Sequence, residues 1–233
     1  MAIQDFVSNI LPKYYAPVHQ GSVNIMEHDS GASVKRVTWT NSDFFHLNHD
    51  LAKDMKPFFE GANSPEIFRK DCDGIIFFEK EGKKYMFLTE LKSKFDSIQL
   101  FKAKTQIISS FIKANMLFHI SPCYRIEEYI IKGFIVSHAP TSEFIVNLRK
   151  ADMLPYNRIK PDMSLALKLF LKDNIHRPTD NVHKALLTPV QCSCLSGLRL
   201  GDRGIFPKIE LYHISVPEGK DSVTLNIDDY IKS

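Results

Sequence analysis

Residues 71–111, DCDGIIFFEKEGKKYMFLTELKSKFDSIQLFKAKTQIISSF, leave few folding options open. Residues 74–78 form an apolar run, bounded on the N-terminal side by Asp71, Asp73 and Gly74. Glu81-Gly82, set among lysines, supplies a hairpin turn, because glycine takes positive φ at little cost. Residues 85–91 are a second β-rich run, so the two strands are expected to pair antiparallel. Asp96 or Ser97 then caps a helix whose apolar residues Ile98, Phe101, Ile108 and Ile112 follow a 3.6-residue period. Two acids interrupt this apolar design: Asp73 at the start of the first strand and Glu90 near the end of the second. Lys92 follows.

Neighbouring strands can bring two such side chains close together on one face. Two carboxylates at that distance repel, and each is costly to desolvate, so something positive belongs between them. A divalent cation with oxygen ligands answers this economically, and magnesium accepts one or two carboxylates plus waters and phosphate oxygens. Alternation puts Glu90 and Lys92 on one face and Leu91 in the core. Lys92 would then face the same site, placed to orient water or to stabilise charge on a phosphate. The plainer alternative makes Asp73 a turn residue and Glu90–Lys92 a solvent-facing edge pair. It fits poorly with Glu90 inside YMFLTEL, where at least one face should be buried.

Asp73-Gly74, a spacer of sixteen residues, Glu90-Leu91-Lys92 and the helix after them resemble the PD-(D/E)xK nuclease superfamily. The resemblance covers about residues 43–138. It implies an α/β (α+β) fold with a restriction-endonuclease-like αβββαβ core and a mixed central sheet. It also implies a Mg²⁺- or Mn²⁺-dependent hydrolase, an endonuclease in which metal-bound water attacks a DNA phosphodiester. Carried over by residue, Asp73 and Glu90 would be metal ligands, the Leu91 carbonyl a third, and Lys92 would assist the attacking water. Gln106 could match the helix glutamine of RecB-type members, although Phe111 stands where an aromatic is expected at a different spacing. Cys72 replaces the proline of the family pattern. The acid usual on an upstream helix is open among Asp50, Asp54, Glu60 and Glu66.

Lys92, Lys94, Lys102, Lys104 and Lys113 cluster in and after the motif. Lys102 and Gln106 lie one turn apart, so Lys94, Lys102 and Gln106 are the candidate nucleic-acid contacts. A solvated helix face explains each lysine equally well. Arg199 and Arg203 are weaker candidates for backbone contacts. The net charge of +3 permits a polyanionic partner without demanding one.

The chain of 233 residues reads as a single domain, with the core over 43–138 and a C-terminal helical and β-hairpin elaboration over 139–233. Residues 3–11 suggest a short helix stopped before Pro12, and a strand is expected near 33–40 with Trp39 as a packing anchor. Asn41-Ser42-Asp43 opens an expected helix through Phe44, Phe45, Leu47, Leu51 and Met55 to Pro57. That helix would set His46 and Asp50 on one face, serving either a site or solvent. Residues 61–69 read as a loop. A strand is expected over 128–137, a helix from Thr141 to Arg149, and another over 162–171 with Pro161 in its first turn. Residues 172–206 read as irregular, holding Arg177, His183 and Lys184. A strand over 208–216 is expected to pair with 222–227 across Pro217-Glu218-Gly219.

Four scattered cysteines, with Cys192 and Cys194 as C-x-C, suit inert thiols in a reducing cytoplasm better than a metal–thiolate centre. The N-terminus has no basic region leading into a long apolar stretch, and no run approaches a membrane span. The expectation is a cytoplasmic protein that binds no membrane, partners nucleic acid, and is compatible with a homodimer. The competing expectation is a catalytically inactive nuclease-fold module that binds nucleic acid or protein. A nuclease directed at RNA is a third.

Overall fold

In a computed structural model of the chain, the described residues are 2–55, 57, 70–155, 158–159, 161–172, 182–187 and 209–231. The elements in order are α1 (Ala2–Ile10), β1 (Ser22–Met26), β2 (Arg36–Thr40), β3 (Phe45–His46), α2 (His49–Asp54), β4 (Gly74–Lys80), β5 (Lys83–Lys92) and α3 (Ser97–Phe118). They continue with β6 (Tyr129–His138), α4 (Ser142–Asp152), α5 (Pro161–Leu167), β7 (Val182–Leu187), β8 (Ile209–Val216), β9 (Ser222–Asn226) and α6 (Asp228–Ile231). The fold is mixed α/β, with two mixed sheets ordered β3-β4-β5-β6-β8-β7 and β1-β2-β9.

The β4–β5 hairpin closes at Glu81 and Gly82, with φ of 52° and 72°. Positive φ at both central residues gives the turn the twist that antiparallel strands require. Seven side chains in succession along β5, Tyr85 to Leu91, are buried, so both faces of this strand are covered. The chain then bends, and the Asp96 carboxylate accepts from the Gln99 N–H at 2.8 Å to open α3. After α3 the chain returns as β6, parallel to β5.

Three layers result. Helices α1, α3, α4 and α5 cover one face of the six-stranded sheet, and their core includes Ile75, Phe77, Met86, Leu88, Ile107, Phe111 and Leu211. The three-stranded sheet covers the other face over a second core of Ile25, Val37, Ile76, Phe78, Phe87, Phe134 and Ile214. Trp39 is fully buried there. Its ring lies 4.6 Å from Phe134 between centroids, and its Nε1–H donates to the Thr89 hydroxyl at 3.2 Å.

Three expectations are corrected, the first being that residues 172–206 are irregular, since 182–187 form β7 along β8. The helix expected over 41–57 is broken: Asn41 has φ 78°, Phe45 and His46 form β3 against β4, and Asn48 caps α2 through the Asp50 N–H at 2.8 Å. Phe44 packs in the core between the sheets and Phe45 in the core under the helices, a period of two that only extended backbone gives. His46 and Asp50 therefore share no helix face. The expected C-terminal hairpin is also absent. β8 pairs β6 and β7 on its two sides, while β9 runs parallel to β2 in the other sheet. The turn at Gly219, φ 74°, redirects the chain between sheets. Strand β1, antiparallel to β2, answers to no strand expected from the sequence.

Candidate metal and phosphodiester site

The register of the β4–β5 hairpin puts Gly74 opposite Thr89 and Ile75 opposite Leu88. Continued one step, it sets Asp73 across from Glu90. Ile75 and Phe77 of β4 and Met86 and Leu88 of β5 face the helical layer. Alternation carries Asp73, Glu90 and Lys92 onto that same face. The Asp73 Oδ2 accepts from the Leu91 N–H at 2.7 Å, which fixes this carboxylate at the end of β5. Leu91 itself points its side chain into the core between the sheets.

The Glu90 side chain is 1% exposed and ion-paired to Lys92, which is 15% exposed. Only Oε1 of Glu90 makes that contact. Its Oε2 is buried with no hydrogen-bond partner among the described residues. Burial pushes the Glu90 carboxyl well above its ordinary range, the Asp73 charge adds to the rise, and Lys92 opposes it. Asp73 is pushed up to about 7, chiefly by burial, against the pull of the Leu91 N–H. Glu27, just after β1, raises both acids through its charge. Burial and the neighbouring negative charges disfavour two bare carboxylates here, and a cation would offset both.

The other expected residues are distributed differently. Lys94 is exposed and paired with Asp96 at 3.0 Å, beside the helix cap. Lys102 is exposed on α3, and Gln106 is half-buried, its Nε2 donating to the Asp71 carbonyl at 2.9 Å. Lys104 and Lys113 are buried and do not face solvent phosphate. Asp50 is exposed with Lys53 at 3.7 Å, and Asp54 is held by Tyr14 and Lys13 at 2.6 and 3.1 Å, away from Glu90. Glu60, Glu66, Cys192, Cys194, Arg177, Arg199 and Arg203 lie outside the described residues, as do the side chains of His183 and Lys184. Among the described residues, no group of three or more His, Cys, Asp and Glu is disposed to hold a metal ion.

Two features were missed by sequence reasoning. Glu27 gives no motif signal, since its proximity depends on β1, a strand the sequence concealed. Its neighbour His28 stacks on His49, with centroids 5.6 Å apart. His49 lines a small cleft with Asn48, Cys72, Asp73 and Gly74, so Asp73 and this histidine open on one hollow. Half-buried His46 is held to about 4, mainly by burial, and stays neutral near pH 7.

No protein-family model, curated protein or solved structure matches this chain.

Proposed function

We propose that this chain is a metal-dependent phosphodiesterase, an endonuclease of the PD-(D/E)xK type acting on DNA. The observation that carries the reading is the buried Glu90 carboxylate, facing Asp73, with Oε2 unpartnered among the described residues. A buried polar atom without a partner is rare and costly, and a cation is the partner two acids call for. The succession α2–β4–β5–α3–β6, with β4 and β5 antiparallel and β5 and β6 parallel, supports the ββαβ part of such a core, although only two strands, not three, separate α2 from α3. Mg²⁺ or Mn²⁺ would be held by Asp73 and Glu90. The N–H and C=O of one extended residue leave on the same strand edge, so the Leu91 carbonyl shares the Asp73 side and suits a third ligand.

A bound divalent ion supplies Lewis-acid polarisation of phosphate and a more acidic water. The protein's own groups do the rest. Asp73 and Glu90 would hold the ion at the strand ends, and the helical layer that buries Glu90 would limit the access of bulk water. With a cation held by Glu90, the Lys92 ammonium would be available to orient a water or to meet a phosphate oxygen. Lys94 and Lys102, exposed beyond the strand end, suit backbone phosphates.

Supercoiled plasmid incubated with Mn²⁺ should be nicked or linearised, and EDTA should stop it. Glu90→Ala and Lys92→Ala should each abolish cleavage while leaving the circular dichroism spectrum unchanged. Cleavage that survives either substitution defeats the assignment. A second reading, a nuclease-fold module that binds nucleic acid without cutting it, is favoured by the Lys92–Glu90 ion pair, which already partly neutralises the acid. It predicts DNA binding that is indifferent to Mn²⁺.

A further inference from the structure

The backbone that delivers Asp73 is irregular. Residues 70–73 stand outside any strand, yet Asp71 and Cys72 are 7% and 3% exposed. Buried main-chain groups need partners, and here a helix supplies them from side chains. Gln106 Nε2 donates to the Asp71 carbonyl at 2.9 Å, and the Ser110 hydroxyl accepts from the Cys72 N–H at 2.7 Å. Lys113 forms an ion pair with the Asp71 carboxylate, both side chains being 2% exposed. Residues 106, 110 and 113 recur at the spacing that shares one helix face.

We propose that Ser110 and the Asp71–Lys113 pair are positioning residues that set the register of residues 71–73, so that the Asp73 carboxylate meets the Leu91 N–H and the cation. The proposal rests on the cation reading above. A buried ion pair is a poor device for stability, since apolar residues of similar volume usually hold a fold as well or better. What the polar set does, and an apolar set cannot, is select one register. A slip of one residue would swing Asp73 to the opposite face of the sheet, away from Glu90.

The test is the double substitution Asp71→Leu with Lys113→Met in the full chain, read in three ways. The urea midpoint of the metal-free protein should equal or exceed that of the unsubstituted chain. Mn²⁺ affinity, followed by electron paramagnetic resonance, should fall ~10-fold to ~100-fold, the loss usual when the groups that orient ligands are removed. The Leu91 amide should exchange with solvent faster, because Asp73 no longer holds it. Ser110→Ala should give the same two losses and Ser110→Thr should restore them; this pair decides the matter if the double variant does not fold. Unchanged Mn²⁺ affinity and unchanged Leu91 exchange in a folded variant overturn the proposal. Failure of the unsubstituted chain to bind Mn²⁺ sinks the cation reading instead, and Leu91 exchange then decides the positioning role alone.

Discussion

Replacing Glu90 with glutamine keeps the side chain's shape and removes its charge, and it should make the metal-free protein more stable. The Glu90 side chain is 1% exposed, with Asp73 raising its carboxyl and Lys92 opposing that rise. Two carboxylates facing each other across a strand pair, ~5 Å apart, repel by ~3 kcal/mol at an effective dielectric of ~20. Losing the Lys92 attraction costs a similar amount, so those two largely cancel. What remains is the desolvation of a buried charge, several kcal/mol at most, and glutamine recovers part of it. The expected gain is ~1–3 kcal/mol at pH 8.

The sign with pH follows from the raised carboxyls. A fold that holds a proton to higher pH than its unfolded chain has its full stability below the unfolded value and loses it as pH rises through the folded one. Asp73 moves to about 7, and Glu90 is raised as well. The unsubstituted protein should therefore weaken from about pH 4 through 7 and above. The advantage of Glu90→Gln should shrink as pH falls, because the raised Glu90 carboxyl takes up a proton at higher pH than a free one. Urea unfolding in EDTA at pH 5 and pH 8, followed by the fluorescence of the single tryptophan, Trp39, measures both. A variant less stable than the unsubstituted chain at pH 8 refutes the reasoning, because Glu90–Lys92 would then be a stabilising pair.

Further outcomes follow from the packing. Gly74→Ala would drive a Cβ into Ile25, 2.7 Å from its Cγ2, in the core between the sheets. It should cost ~1–3 kcal/mol in urea unfolding, because β1 must give way at Ile25. Trp39→Phe removes the bond to the Thr89 hydroxyl and leaves a void among Phe87, Phe134 and Tyr230; the melting midpoint should drop by the equivalent of ~2 kcal/mol. Glu81→Asn at φ 52° should add ~0.5 kcal/mol without touching activity, since asparagine tolerates the left-handed region better.

The hairpin from Gly74 to Lys92 and the helix after it were legible because periodicity, turn chemistry and capping agree there, and the two acids stood out against an apolar background. The helix expected over 41–57 misled because Phe44, Phe45 and Leu47 fit a helical period while their burial alternates between two cores. Likewise β8 and β9 alternate well enough to form a hairpin, but alternation says nothing about which sheet a strand joins. Glu27 and the Asp71–Lys113 pair depend on contacts distant in sequence, which no local pattern reports. Lys104 and Lys113 looked like a solvated basic face because a lysine whose ammonium is buried has the same sequence signature as one in water.

The central claim is that Asp73 and Glu90 share a divalent cation. Crystals soaked in Mn²⁺ and recorded at the manganese absorption edge test it directly. The account predicts an anomalous peak ~2.0–2.3 Å from a carboxylate oxygen of each acid and near the Leu91 carbonyl, with Lys92 withdrawn from Glu90. No peak there, and Lys92 still bonded to Glu90, would contradict it.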